Sequence, residues 1–283
     1  MTQMRIRNMN TNDLGFAISL TEQEKWGSIR EDFQELLLFD PNGSFIAEMN
    51  GEPIGMVCAI SYGSFGFIGN LIVRSEYRKS GYGTTLMSHA IAYLKGKGTD
   101  TVMLDAVQKA VPLYKKLGFK EMCNSLRYEG RVEPETSSNS RDMEDKDMMH
   151  ILGIDRKHFG ANRFLFLGSS LSRDPDLARV IEVGGRIVGY IMGSKRHGFV
   201  RLAPWIISEC PELANEMLRD FAVRVEGKQI KLGVLESNTH AVKVMKAHAF
   251  YQKSYSVRMV LGALPRDMQP SNAVYAIGSA MRG

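Results

Sequence analysis

The sequence predicts an α/β (α+β) chain built as two related domains, and three observations carry that prediction. An apolar, β-branched run, Phe67-Ile68-Gly69-Asn70-Leu71-Ile72-Val73, turns through two glycines into a segment whose Leu86, Ala90, Ile91 and Leu94 share one face at helical spacing. A second apolar run, Thr101-Val102-Met103-Leu104-Asp105-Ala106, precedes another short helical segment, so strand and helix alternate. The first half then returns in the second: Glu48 to Gly55 matches Glu182 to Gly189 at an offset of 134, and Ala110 to Phe119 is echoed by Ala241 to Phe250 at 131.

In chain order, Phe45 to Glu48 and Ile54 to Val57 read as a hairpin turning near Gly51-Glu52. The strand over 67–73 follows, then the turn Arg78-Lys79-Ser80-Gly81-Tyr82-Gly83, then a helix from Thr84 to Lys95. The strand over 101–106 leads to a helix over 110–117, which Gly118 closes in the left-handed position that ends such helices, and Phe119 starts the next strand. Glu133 to Asp147 is polar, Ser-rich and acidic with Pro134, and reads as a linker or exposed crossing. The expected boundaries are therefore 1–132, a linker at 133–149, and 150–283. Beyond the second hairpin, Glu212 to Arg224 reads as a helix and Gln229 to Leu235 as a strand.

Composition narrows the function. Hydrophobic content is 44% and charged content 24%, ordinary for a soluble globular protein. The net charge of +5 is mild for 283 residues: it compels neither nucleic-acid nor membrane binding and is compatible with an anionic ligand. Cys58, Cys123 and Cys210 are odd in number and scattered, so neither a disulfide framework nor zinc spacing exists. The six histidines also form no metal spacing. Met1 to Arg5 lacks a leader's apolar stretch, and no run reaches the length of a membrane helix. The expectation is a soluble cytoplasmic protein with no metal, no nucleic acid and no membrane, as a monomer or homodimer.

The turn at 78–84 carries the chemistry. Glycines let backbone N–H groups point inward, and the helix behind them adds orphan donors and the positive end of its dipole, which makes an anion site. A dinucleotide fingerprint needs a third glycine where Leu86 stands, and a P-loop needs Gly-Lys-Ser/Thr, whereas Gly96-Lys97 is followed by Gly98 after the helix. What remains is Arg-x-x-Gly-x-Gly after a strand: a phosphate site, or a tight strand–helix turn without a ligand.

This hexapeptide, followed about thirty residues later by Ala110-Val111-Pro112-Leu113-Tyr114-Lys115-Lys116-Leu117-Gly118-Phe119, resembles the two signatures of the GNAT acetyltransferases, in family order and over roughly residues 4 to 130. The resemblance implies tandem GNAT-like domains, each a mixed, strongly twisted sheet flanked by helices. It implies acetyl-CoA as co-substrate, with its diphosphate on the backbone of Arg78, Lys79, Ser80, Gly81, Tyr82, Gly83 and Thr84, and its pantetheine amides on the strand edge Leu71-Ile72-Val73. Tyr114 is the implied general acid. The general base is not legible: Glu22, Glu24, Asp105 or a water relay all serve. Trp26 and Trp205 are candidates for an acceptor wall, or simply buried area.

The second half differs where the chemistry would be. Glu212, Asn215 and Met217 stand in place of Arg78, Gly81 and Gly83, and Met245 in place of Tyr114. A carboxylate where a phosphate would come repels it, so this half is expected to keep the scaffold without binding CoA. An active domain followed by a degenerate one is similar to a two-domain bacterial branch of the family, in which Asp155-Arg156, Phe159 to Arg163 and Arg258-Met259 have counterparts. The acceptor is expected to be an amine of a small molecule or a protein. Two alternatives stay open: a CoA-binding sensor without catalysis, and transfer of a longer acyl group.

Overall fold

The computed structural model describes residues 4–265 and 271–283; residues 1–3, part of the start read above for a leader, lie outside the described residues. In chain order it forms β1 (Arg5–Asn8), α1 (Leu14–Gln23), α2 (Arg30–Phe39), β2 (Ser44–Met49), β3 (Glu52–Ser61), β4 (Gly66–Val73), α3 (Tyr82–Gly96), β5 (Val102–Ala106), α4 (Val111–Lys116) and β6 (Lys120–Gly130). The same ten-element series follows as β7 (Ser140–Asp142), α5 (Met148–Phe159), α6 (Phe164–Arg173), β8 (Ala178–Val183), β9 (Arg186–Arg196), β10 (Phe199–Ile207), α7 (Ala214–Val225), β11 (Gln229–Leu235), α8 (Thr239–Ala247) and β12 (Tyr251–Leu261). One further strand, β13 (Val274–Ala276), has no counterpart in the first series.

Local chemistry explains the repeat. Both hairpins turn through two residues at positive φ, Asn50 and Gly51 in one, Gly184 and Gly185 in the other, the arrangement whose twist matches the flanking strands. Helix α3 buries Leu86, Met87, Ala90 and Leu94. Helix α4 opens with Pro112 in its first turn and is closed by Gly118 at φ +91°, with the Phe119 N–H donating to the Tyr114 carbonyl at 3.0 Å.

An ion network repeats as well. Arg7 grips Asp13 through both terminal nitrogens (2.7 and 2.8 Å) and Glu48 through Nε (2.6 Å). Arg141, at the offset of 134, grips Asp147 through both terminal nitrogens (2.6 and 2.8 Å) and Glu182 through Nε (3.0 Å) and one terminal nitrogen (2.6 Å). This corrects the linker at 133–149. Its polar residues are polar because β7 pairs with β8 on one edge only and uses Arg141 to tie strand, helix start and hairpin together. Within it, residues 133–139 lack helix or strand.

The chain divides into two compact units: Met1–Glu121 with Met259–Pro265 and Met281–Gly283, and Met122–Arg258 with Arg266–Ala280. The expected break at 132 therefore falls inside the second unit. The strand order in the first unit is β1-β2-β3-β4-β5, with Met259–Leu261 of β12 next to β5. In the second it is β12-β6-β11-β10-β9-β8-β7, with β13 on β10. The reason is pairing: β6 runs antiparallel to β11 over Ser125–Gly130, against Leu235–Ile230.

Helix α3 packs on β2, β3 and β4 of the first unit, while α1 and α2 pack against β3. In the second unit Trp205 is fully buried in the core with Phe221 and Ile230, and it stacks on Tyr275 at 4.8 Å. Of its two readings, acceptor wall or buried area, the second holds for Trp205; Trp26 is half-buried after α1. Asp155 is wholly buried and pairs with Arg163 at 3.0 Å rather than with Arg156, and the Tyr190 hydroxyl donates to it. Residues adjacent on a helix point in different directions, so Arg156 does not face Asp155.

His158, in the second unit, sits between the hydroxyls of Ser208 and Ser271, each 2.9 Å from a ring nitrogen. Burial first, and then Lys157, push its pKa below the usual value, against a smaller pull from Asp155. The folded state thus prefers neutral imidazole. Stability that His158 contributes above about pH 6.5 is lost as the unfolded chain takes up a proton below it. The fall in Tm between about pH 7.5 and about pH 5.5 should be smaller in His158→Gln than in the native chain; equal falls exclude this role.

Candidate active site

The site is built by two strands that part. β4 and β5 run parallel and in register at Gly66–Val102, Phe67–Met103 and Ile68–Leu104, and pairing ends there. β4 continues on its other edge, with Gly69 opposite Cys58, Ile72 opposite Met56 and Val73 opposite Gly55. The register slips between Met56 and Cys58, opposite Asn70, which takes φ +52° inside the strand. The segment Leu71–Val73 therefore presents an edge with no strand beside it among the described residues, while Asp105 and Ala106 end β5 on the far side. An edge of this kind is ready to bond an extended amide chain.

At the mouth of this cleft stands the glycine turn. Gly81 is at φ +86°, where an L-residue is strained, and a Cβ built there meets nothing within 4 Å. It is the N-cap of α3 and brings no side-chain oxygen to the cap, so the first-turn N–H groups of Tyr82, Gly83 and Thr84 have no internal acceptor. Lys79, at φ +67°, and Ser80 are exposed. Gly83 has ordinary φ; a Cβ there touches Leu113 of α4 at 3.9 Å and Val73 at 4.0 Å, which places the turn, the end of β4 and α4 together.

Arg78 does not point freely at a ligand. Its Nε donates to the Val73 carbonyl at 2.7 Å and its terminal nitrogen to Glu24 at 2.6 Å. Glu24 also takes Lys109 at 3.1 Å. Burial raises the Glu24 pKa, but the hydrogen bonds from Lys109 and Arg78 outweigh it and hold the carboxylate below its ordinary range. A carboxylate so held is a poor proton acceptor. Of the readings open for Glu24, base or structural carboxylate, the geometry favours the second, a tether of the turn. Glu22 is exposed on α1, and Asp105 is half-buried one residue before the end of β5.

Tyr114 is buried, and its ring meets Phe119 edge-on at 5.9 Å. Burial alone pushes its pKa up to about 12. The hydroxyl is therefore protonated throughout the neutral range, a donor by default. Residues not reached from the sequence also shape the site. Asn70 is buried with its amide 3.8 Å from the Cys58 and Met281 sulfurs. The signal was Gly69-Asn70 inside an otherwise β-branched run.

The second unit closes the same gap with its own chain. β10 and β11 run parallel only over Phe199–Gln229, Val200–Ile230 and Arg201–Lys231. Beyond that point β13 pairs with β10, Trp205 opposite Ala276 and Ile206 opposite Val274. The Ile207 N–H donates to Ala273 and the Ile277 N–H to Gly233, both at 2.9 Å, so 273–277 spans from β10 to β11. Gly233 lacks a Cβ where Ile277 approaches to 2.9 Å. Trp205 and Ile207 stand 134 positions after Leu71 and Val73. Met217 and Met245, in place of Gly83 and Tyr114, are fully buried. Among the described residues, no helix is long and apolar enough to cross a membrane and no cluster of His, Cys, Asp or Glu is arranged to hold a metal.

Comparison with known proteins places these features. The acetyltransferase (GNAT) family model matches residues 13–119, and an acetyltransferase (GNAT) domain model matches 151–276. A Bacillus subtilis protein named uncharacterized N-acetyltransferase YitH is 24% identical over 220 residues, 74% of this chain and 75% of that one. Holothin acyltransferase of a Pseudoalteromonas species is 22% identical over 264 residues, 92% of this chain and 88% of that one. The crystal structure of a Pyrococcus horikoshii protein, provisionally classed as an acetyltransferase, superposes with a TM-score of 0.84 at 24% identity, covering 99% of this chain and 96% of that one.

Proposed function

Because the chain belongs to the acetyltransferase (GNAT) family, we propose that its first unit moves an acetyl group from acetyl-CoA to an amine, by direct attack, and that its second unit is a scaffold that does not take the donor. The observation that carries this reading is the parting of β4 from β5 beside the left-handed Gly81. Among the described residues, the gap stays open in the first unit and is filled by β13 in the second.

The backbone N–H groups of Tyr82, Gly83 and Thr84, with the dipole of α3, hold the diphosphate. Arg78 sets the shape of the turn through Val73 and Glu24 and adds diffuse positive charge. The free edge of Leu71–Val73 bonds the pantetheine amides. An N–H of that edge polarises the thioester carbonyl as negative charge grows on it; one such donor contributes about 3–4 kcal/mol in comparable oxyanion sites. The neutral amine attacks, the C–N bond forms, the C–S bond breaks, and the sulfur takes a proton from the Tyr114 hydroxyl. A phenol near pKa 12 is a weak acid, but the burial that raises it also raises a thiolate held in the same cleft, which brings donor and acceptor closer in strength. Asp105, or a water beside it, takes the proton of the amine and passes it to solvent, and the Tyr114 phenolate takes up a proton from water before the next turnover.

The test is release of CoA thiol from acetyl-CoA against a panel of small amines, polyamines and lysine peptides, with succinyl-CoA as a second donor. Amine-dependent release that prefers acetyl-CoA supports the reading. Tight acetyl-CoA binding without release over the whole panel overturns it in favour of a sensor.

A further inference from the structure

We propose that Met281 and Arg282 form the floor of the acceptor pocket and that the Met281 side chain limits the size of the amine admitted; this rests on the reading of the first unit as an amine acetyltransferase. Met281–Gly283 belong to that unit although about 160 positions separate Met281 from Glu121, with only Met259–Pro265 of the same unit between them. They do not lie at its edge. They cross β4 at the vertex of the cleft.

The closest approach is at Gly69, the first residue of β4 after its last pair with β5. A Cβ on Gly69 would stand 2.5 Å from both the Cα and the carbonyl oxygen of Met281. Glycine is needed there because another stretch of backbone occupies the space a side chain would take. The next residue, Asn70, brings its amide to 3.8 Å from the Met281 sulfur. Arg282 then fixes the segment twice. Its carbonyl accepts from the Tyr62 hydroxyl at 2.8 Å, and its guanidinium pairs with Glu35 on α2. Side-chain exposures of 12% for Arg282 and 6% for Glu35 show an ion pair closed to water, not a loose surface contact.

This placement defines what the segment faces. A donor laid inward from the turn along Val73, Ile72 and Leu71 meets Asn70 and Gly69 next. Met281 covers those two residues, so an amine that attacks at the inner end of the donor does so against Met281. The face is that of α2, since Glu35 reaches the segment from there. A thioether wall is apolar and adaptable in shape. It presents no charge to a neutral attacking amine, and Arg282 has its own charge neutralised by Glu35. Such a floor selects by volume.

The experiment uses the full chain with Met281→Ala and Met281→Trp, and measures kcat/KM for methylamine and for tryptamine together with the KM for acetyl-CoA. Met281→Ala should raise the tryptamine-to-methylamine ratio by roughly tenfold, the scale on which a pocket senses a few methylenes, and Met281→Trp should lower it. The KM for acetyl-CoA should stay within about twofold, because neither Leu71–Val73 nor the glycine turn is touched. A ratio unchanged in both variants, or a loss shared equally by both amines and acetyl-CoA, overturns the proposal. If the native chain acetylates neither amine, thiol release by water attack is read instead: Met281→Ala should raise it several-fold, and an unchanged rate overturns the proposal. Failure of the native chain to bind acetyl-CoA is a different result, which removes the functional reading itself and this proposal with it.

Discussion

Gly81→Glu is expected to abolish acetyl-CoA binding by the first unit, with a loss of affinity of at least about a hundredfold by calorimetric titration, or some 3 kcal/mol. Two effects act together. The backbone at φ +86° costs an L-residue roughly 1–2 kcal/mol. The new carboxylate then sits at the N-cap of α3, where no side chain caps the helix. It is attracted by the first-turn N–H groups and the helix dipole, so it occupies the anion site from within. It also repels the incoming diphosphate. The chain itself should still fold, because a Cβ at this position meets no atom within 4 Å. Gly81→Ala separates the two effects: it carries the strain without the charge, and it should lose only about tenfold. Undiminished affinity in Gly81→Glu refutes the assignment of the turn.

How much of this was legible in the sequence follows from what each signal encodes. The glycine turn, the strand before it and the helix behind it are local. Their periodicity, their positive-φ residues and their apolar faces are written within some thirty consecutive positions, and they form as expected. The duplication was legible through the hairpins. It is written again in Arg7-x5-Asp13 and Arg141-x5-Asp147, a spacing whose meaning appears only when the chain brings Glu48 and Glu182 beside it. Strand partners were not legible. β6 carries Ser125-Leu126-Arg127 and β12 carries Ser256-Val257-Arg258; both alternate alike, so local pattern cannot say which strand each will join. The same limit hid β13. Val274-Tyr275-Ala276 is short and unremarkable, yet it fills the gap between β10 and β11. Charge and missing glycines pointed to a second half without CoA, and the structure adds a steric reason. Glu24 stayed open between base and structural carboxylate because an acidic residue near the site reads the same whether it is free or clamped; its two cations, Arg78 and Lys109, lie 54 and 85 positions away.

Tyr114→Phe is expected to lower kcat by about 10²- to 10⁴-fold while leaving the KM for acetyl-CoA within about threefold, because the lost hydroxyl acts only as sulfur takes on charge. The substitution is a clean one. The ring keeps its contact with Phe119, and burial alone accounts for the shift of the phenol, with no hydrogen-bonded partner contributing. Removing a hydroxyl that has no hydrogen-bond partner among the described residues costs little and leaves the fold intact, so Tm should change by no more than about 2 °C. The pH dependence sharpens the test. A phenol at about 12 stays protonated across the working range, so the native kcat should rise with pH as the amine deprotonates and show no fall near the ordinary phenol value of about 10. In Tyr114→Phe the same rise should persist at a lower level, since the amine still has to lose its proton. An unchanged kcat in the variant would return Tyr114 to a packing role against the sheet and leave the departing thiolate to be protonated by water at the mouth of the cleft.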